Sequence, residues 1–505
     1  MIPETRPARR AYIETYGCQM NISDGELMEG ILEGEGYRIV AIPEDADVIL
    51  VNTCSIRDHA ERRVLGRVAQ LNGIRQERPD LVIGVTGCMA QRMGTSLLDK
   101  APYVDLVMGP DAYRTLPEQL ERVRAGGADR PGLGVDPDPS AEAFDESMAG
   151  APDPGRNIAA GSGTHARPAP RTPTRRGETK DRIQLAVLDL DTGENYEGLE
   201  QRRSSGPVAW VPIQRGCDHR CTYCIVPYVR GPEKNRSPSE VLDEIRGLVE
   251  RGVSEVTLLG QTVNSYRHGE WAFPTLLRSV ARLDGIRRVR FTSPHPNDVT
   301  PELVEVMAVE PAVCEQLHLP AQAGNDRTLK RMVRRYTVET FLEKVEMVRR
   351  AIPDIALSTD IIVAFPGETE AEFRDTLELM RTVRFDDAFT YKYSLREGTP
   401  ATRLPDEEFI PEDEAQARLE ELIRLSRSIQ SEINHTEVGR IDEVLVEKPG
   451  RDPGMLLGRT RRWKTVVFPA GEHREGDYVK VELTATTGAT FRGEPVEAPA
   501  LAESA

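Results

Sequence analysis

The sequence predicts an α/β chain in three folded parts: an N-terminal parallel α/β domain, a central (β/α) barrel, full or partial, and a small all-β barrel at the C-terminus. Three observations predict it. Strand-like apolar runs alternate with helical stretches twice, once before and once after a stretch rich in Gly, Pro and Ser, and such alternation builds parallel sheets with crossover helices. Residues 439–494 instead read as short strands broken by Gly and Pro turns, as in small closed β-structures. A length of 505 residues, at about 150 per domain, allows roughly three domains.

The first part spans 11–125. Residues 11–16, 47–52 and 81–86 have strand composition, and 24–35 and 56–76 have helical spacing between them. Ser23 and Glu26 make a capping-box pattern for the first helix. The stretch 126–185 has hardly a large apolar residue. Its first half is acidic (Asp136, Asp138, Glu142, Asp145, Glu146) and its second half basic (Arg167, Arg171, Arg175, Arg176), so a disordered linker is expected. In the barrel, 203–434, strands are expected at 210–214, 255–259, 288–292, 315–319, 355–364 and 388–394. Helices are expected at 238–251, 274–283, 301–309, 327–333, 338–350 and 370–383. Ser237-Pro238-Ser239-Glu240 joins an N-cap, Pro at N1 and a capping-box Glu, and Thr300-Pro301 repeats the first two. A charged helix at 412–433 leads into the small barrel, 437–498.

Composition excludes some classes. Hydrophobic residues are 39% and charged residues 29%, as in soluble globular chains. No apolar run reaches membrane-spanning length and mean hydropathy is −0.44. The first ten residues carry no apolar core of a secretory signal, so a cytoplasmic protein is expected. With 65 basic against 82 acidic residues the formal charge is −17, which argues against a binder that uses its whole surface on nucleic acid.

Seven cysteines, an odd number without an export signal, point to metal or catalytic thiols rather than disulfides. Cys217-x3-Cys221-x2-Cys224 follows the first barrel strand, where barrel active sites form. Three thiolates there can hold three irons of a cubane and leave the fourth open. A structural zinc with His219 as fourth ligand is the competing arrangement, but such sites usually pair two knuckles far apart in sequence. Cys18, Cys54 and Cys88, at steps of 36 and 34 residues, each follow a predicted strand and precede a predicted helix. Parallel strands end on one edge, so these thiols converge on a second three-thiolate site; taken singly, each would be an ordinary buried cysteine. Cys314 has no partner in the pattern and reads as a buried thiol.

The thiol triplet at 217–224 resembles the cluster motif of radical S-adenosylmethionine (SAM) enzymes. YGCQMN at 16–21, NTCSIRDHA at 52–60, GCMAQR at 87–92 and GCDHRCTYCIVPYVRG at 216–231 look like the methylthiotransferases, as do SPHP at 293–296, LHLPAQAGND at 317–326 and FPGET at 365–369. GQTVNSY at 260–266 is similar to the branch acting on N6-isopentenyladenosine of tRNA. Gly25, where the family often has Ser, and the long linker depart from the pattern without touching a proposed ligand. The resemblance implies a methylthiotransferase domain, a radical SAM partial barrel and a C-terminal TRAM domain. It implies two [4Fe-4S] clusters, on Cys217, Cys221 and Cys224 and on Cys18, Cys54 and Cys88, and two SAM molecules per turnover. One methylates the sulfur. The other yields a 5′-deoxyadenosyl radical that takes hydrogen from C2 of the base at position 37. A flavodoxin- or ferredoxin-type reductant and a sulfur donor are implied partners, and a monomer is expected.

Tyr223, Gln261, Asn264, Ser293, Gln322 and Asp360 fall at the barrel mouth and are expected SAM or base contacts, with ordinary strand-end hydrogen bonding the alternative for each. Arg331, Arg334 and Arg335, in a run with Arg327 and Lys330, are expected to meet the anticodon stem-loop. So are Arg459, Arg461, Arg462 and Lys464, with Trp463 between them, because phosphate contacts and base stacking use these residue types. Competing functions are methylthiolation of N6-threonylcarbamoyladenosine or of a ribosomal-protein aspartate, a non-catalytic iron–sulfur RNA-binding protein, and a zinc scaffold.

Overall fold

A computed structural model describes residues 8–54, 58–125, 164–168, 183–199, 201–202 and 206–496. In the N-terminal sheet the strand order is Arg38–Ile39, Arg10–Thr15, Val48–Thr53, Val82–Gly87, Leu106–Met108, Ile183–Val187 and Thr164–Pro168. All pairs are parallel except the last. Val48–Thr53 and Val82–Gly87 are buried at every position, as central strands covered on both faces must be. The three strands expected from sequence lie within one residue of their observed bounds.

Two expectations are corrected here. The first helix runs Gln19–Gly34, with Cys18 at its N-cap, so Ser23 lies inside it and caps nothing. The chain turns at Gly17, whose φ of +140° brings its backbone so near Cys54 that an added Cβ would lie 2.5 Å from the Cys54 Cβ. The second concerns the linker expected at 126–185, of which 126–163 and 169–182 lie outside the described residues and the two described pieces are strands. Ile183–Val187 is a strand on the N-terminal sheet, pairing Leu185 with Leu106, and Thr164–Pro168 pairs with it. Gly and Pro dominate that stretch, but its last three residues begin the apolar run IQLAV at 183–187, which extends a buried sheet. The chain then folds back: the Tyr196 hydroxyl accepts from Tyr113 N–H at 3.1 Å and donates to the Pro110 carbonyl.

The central part has six parallel strands in two three-stranded sheets: Val208–Pro212, Glu255–Leu259 and Arg288–Phe291, then Gln316–His318, Ala356–Val363 and Asp387–Lys392. A bridge from Val289 to Val313 joins the sheets, and the ring is left open beyond the last strand, so the barrel is partial. Ser237 accepts from Glu240 N–H at 3.2 Å, while the Glu240 carboxylate turns to Arg236 instead of closing the box. Thr300 caps Pro301–Val309. Glu412–Thr436 packs along the last strand.

The C-terminal barrel is closed, in the order Ile441–Pro449, Met455–Thr460, Thr465–Pro469, Thr490–Pro495 and Tyr478–Thr486. Its core holds Val444, Val466, Phe468, Val481 and Phe491. It seats on the N-terminal ends of the partial-barrel strands. Arg288, the first residue of its strand and fully buried, donates to the Arg459 and Glu443 carbonyls at 2.8 and 2.7 Å. Arg290 donates to the Arg461 and Thr460 carbonyls at 2.7 and 2.8 Å. The small barrel therefore plugs the foot of the partial barrel, and the strands' C-terminal ends form the opposite mouth.

Candidate functional site

The first thiol triplet lies at that mouth. Gly216 has φ +76°, and a Cβ there would fall 1.9 Å from the Pro232 carbonyl oxygen, so glycine is required where the loop turns. Cys217 N–H donates to the Gly231 carbonyl at 3.1 Å, and its sulfur lies 3.2 Å from Thr262 Oγ1. Arg334 Nη1 donates to the Cys221 sulfur at 3.5 Å. Burial pushes the Cys217 thiol up and the Cys224 thiol up to about 12.

The second triplet lies at the C-terminal ends of three neighbouring strands, where the strand order places it. Asn21 and Asn52 tie the loops: Asn52 Nδ2 donates to the Asn21 carbonyl at 2.7 Å and Asn21 Nδ2 to the Thr53 carbonyl at 3.1 Å. The Cys18 thiol donates to Asn21 Oδ1 at 3.2 Å. Its pKa is drawn down to about 6 by the Cys54 hydrogen bond and the Arg230 charge, against the cost of burial. Burial pushes Cys88 up, although Arg230 Nε donates to its sulfur at 3.1 Å. Cys88 also packs against Ile225, the residue after Cys224.

Each donor set offers three thiols, which suits three irons of a cubane, and within the second set Cys18 and Cys54 are close enough to share a hydrogen bond. Among the described residues, the group of His, Cys, Asp and Glu with its ligand atoms all within 4.8 Å is His219, His295 and Asp298, not a thiol triplet. There the two imidazoles stack at 4.0 Å and 11°. Burial, with the Arg334 charge, pushes His295 down to about 2, so it is neutral. His219 faces His295 rather than completing a thiol site.

The six expected cofactor contacts all lie around the mouth, in varied roles. The Asn264 side chain braces the next loop, donating to the His295 carbonyl at 2.9 Å and accepting from its N–H at 2.7 Å. Gln322 N–H donates to the Asp360 carbonyl at 2.8 Å. The Asp360 carboxylate lies 3.3 Å from His318 Nε2. Tyr223 packs against the Phe365 and Leu329 cluster. Gln261 Oε1 is buried without a partner, and Ser293 is exposed. Ser293, Gln322 and Ala364 have φ of +57°, +69° and +58°; such strained non-glycine residues concentrate at functional sites. Arg230, Thr262, His295 and His318 escape sequence reasoning because each meets the site through a partner far along the chain.

The residues expected to contact RNA are largely engaged in ion pairs within the protein. Arg461 binds Glu315 at 2.7 and 2.9 Å, Arg462 binds Glu437 at 3.0 and 2.6 Å, and Lys464 Nζ donates to Asp386 at 2.6 Å. Arg459 binds Glu447 at 2.9 Å. The Arg290 and Arg459 guanidinium groups lie 4.6 and 4.3 Å from the Trp463 ring centroid. Arg461 and Lys464 tie the small barrel to the partial barrel through Glu315 and Asp386, while Arg459 and Arg462 pair within the small barrel's own stretch. Arg331 pairs with Glu408, and Arg334 turns in to Cys221. Arg335 remains exposed, beside Lys330 and Lys344 in a groove of about 740 Å³.

Family models match all three parts: the radical SAM superfamily at residues 211–380, the uncharacterized protein family UPF0004 at 10–109 and the TRAM domain at 435–496. The chain is similar to a tRNA-2-methylthio-N(6)-dimethylallyladenosine synthase of Carboxydothermus hydrogenoformans, 42% identical over 94% of this chain and 96% of the relative. One of the same name from Moorella thermoacetica is 41% identical over 97% and 99%. Among solved structures, a radical S-adenosylmethionine methyltransferase, TsrM, from Kitasatospora setae aligns with a TM-score of 0.53 at 14% identity, covering 88% of this chain and 78% of that one; it bears on the fold alone. Identity sustained from end to end, together with a thiol triplet at the barrel mouth, means that the chain belongs to the radical SAM methylthiotransferases, in the family of tRNA-2-methylthio-N(6)-dimethylallyladenosine synthases.

Proposed function

We propose that this chain inserts a methylthio group at C2 of N6-isopentenyladenosine at position 37 of tRNA. The observation that carries this is the meeting of the two triplets: Cys88 packs against Ile225, next to Cys224, and Arg230 from the same segment donates to the Cys88 sulfur at 3.1 Å. One substrate base can then be served from both. Cys217, Cys221 and Cys224 would hold a [4Fe-4S] cluster supplying one-electron cleavage of SAM, and Cys18, Cys54 and Cys88 a second cluster supplying sulfur, with two SAM consumed per turnover.

The chain's own residues bind, orient and exclude water. Thr262 and Arg334 fix the Cys217 and Cys221 sulfurs, and Tyr223 walls the cysteine loop. Trp463 and the Arg288, Arg290 and Glu255 network close the foot of the barrel, so the base enters from the mouth. Lys330, Arg335 and Lys344 line the rim and suit phosphates. A flavodoxin- or ferredoxin-type reductant and a sulfur donor complete the set of partners. Among the described residues no helix is long and apolar enough to cross a membrane, which accords with work on tRNA in the cytoplasm.

Mass spectrometry of tRNA nucleosides from a strain lacking the gene tests this. The 2-methylthio-N6-isopentenyladenosine signal is expected to vanish and its N6-isopentenyladenosine precursor to accumulate, with the N6-threonylcarbamoyladenosine products unchanged. Persistence of the first signal would sink the proposal.

A further inference from the structure

Arg230 closes a five-residue helix, Val226–Arg230, that starts two residues after Cys224. Its guanidinium crosses into the N-terminal domain. Nη2 donates to Asp24 Oδ2 at 2.6 Å and Nε to the Cys88 sulfur at 3.1 Å. Asp24 is fully buried and also pairs with Arg215 Nη1 at 2.8 Å. Arg230 is 3% exposed, and its Nη1 is buried with no acceptor among the described residues. An unused N–H on a buried cation is costly, unless the loaded site brings an acceptor. Three thiols converge here, and a sulfide-rich group held by them is such an acceptor.

We propose that Arg230 is a positioning residue for the sulfur-bearing cluster of the N-terminal domain: its Nε–H bonds the Cys88 sulfur, its spare N–H takes an acceptor of the loaded group, and it thereby raises that cluster's reduction potential. The inference rests on the two-cluster proposal above. N–H donors to ligand sulfur stabilise an added electron, and hydrogen bonding at sulfur is among the main controls of such potentials. Because Asp24 anchors the same guanidinium, domain docking and cluster tuning share one side chain.

The test uses the full-length chain carrying Cys217→Ala, Cys221→Ala and Cys224→Ala, reconstituted anaerobically with iron and sulfide so that the remaining cluster is read alone. Its midpoint potential is measured by an EPR-monitored titration against a low-potential chemical reductant, with and without Arg230→Gln. The expected result is a downward shift equal to at least a tenfold change in the reduction equilibrium, about 59 mV for one electron, at unchanged iron content. Should Arg230→Gln fail to fold, Arg230→Lys keeps a cation against Asp24 while removing the Nε–H bond to Cys88, and a downward shift is again expected. An unchanged potential in the folded variant overturns the inference while leaving two clusters standing. A background chain that binds no cluster at all overturns the two-cluster proposal and this inference with it.

Discussion

Arg461 reaches from the small barrel to Glu315, at the foot of a partial-barrel strand, with Nε 2.7 Å from Oε2. The neighbouring Arg462 makes the tighter commitment, to Glu437 at 2.6 Å with both side chains at most 10% exposed. Removing one partner of a buried pair leaves the other unpaired in a poor dielectric and costs about 3–5 kcal/mol. Arg462→Ala is therefore expected to lower the melting temperature clearly, whereas Arg335→Ala, on the surface, should cost less than about 0.5 kcal/mol. Calorimetry of the two variants checks this. An Arg462→Ala chain that melts like the wild type yet loses tRNA affinity would return the run to RNA.

The two thiol triplets are separable. Cys221→Ala is expected to abolish 5′-deoxyadenosine formation from SAM and roughly halve the iron held after reconstitution, with the N-terminal site loaded. Cys54→Ala is expected to halve the iron as well, keep 5′-deoxyadenosine formation and lose methylthiolated product. Chromatography of both products, with iron analysis, distinguishes the pair. Full product formation by either variant would refute two working sites.

The placement of both triplets was legible in sequence for one physical reason: loops at the ends of parallel strands announce themselves as a Cys after an apolar run, as in VTGC and IQRGC. The strands followed for the same reason, since Val48–Thr53 and Val82–Gly87 are buried on both faces and read as unbroken apolar runs. The partners of the basic run 459–464 were not legible, because charge in sequence does not reveal its partner; Glu315, Asp386 and Glu437 are brought to it by the fold. Arg230 was invisible for the same reason, its partners Asp24 and Cys88 lying in another domain. Leu106–Met108, at three residues, is too short to show a period.

Gly216→Ala is expected to damage the first site without touching a ligand. The substitution places a Cβ 1.9 Å from the Pro232 carbonyl oxygen at φ +76°, and a non-glycine residue in that region costs about 1–3 kcal/mol before any clash. The loop carrying Cys217 must shift. Reconstituted protein should lose the iron of that site and its SAM cleavage while the N-terminal site still loads. Iron content and SAM cleavage equal to the wild type would show that the loop tolerates the shift.

His295 makes stability depend on pH. Burial, with the Arg334 charge adding, holds its pKa near about 2 against an ordinary 6.5. Above 6.5 the folded and unfolded chains both carry it neutral, and its contribution is complete. As pH falls below 6.5 the unfolded chain takes up a proton that the folded chain refuses, so stability drains at up to about 1.4 kcal/mol per pH unit. His295→Phe retains a ring against His219 and Tyr336 and should flatten that part of the profile. Denaturant titrations across the acid range compare the slopes; equal slopes would show that another group drives the loss.

With 459–464 spent on internal pairs, phosphate contacts fall to cations that stay on the surface. Lys330 and Arg335 are exposed, and Lys344 joins them in the groove beside the Cys221 loop, with Asp326 the one acidic residue among its lining. Asp326 is itself occupied, accepting from Val338 N–H at 2.7 Å. Each phosphate contact releases counterions and steepens the salt dependence of binding. Lys330→Glu with Arg335→Glu is therefore expected to weaken binding of unmodified tRNA and to reduce the salt slope by about 1 per lost contact. Formation of 5′-deoxyadenosine without tRNA should be unaffected, since neither side chain contacts a cysteine of the mouth. Binding measured at several salt concentrations decides it: an unchanged slope would move the phosphate track off this rim.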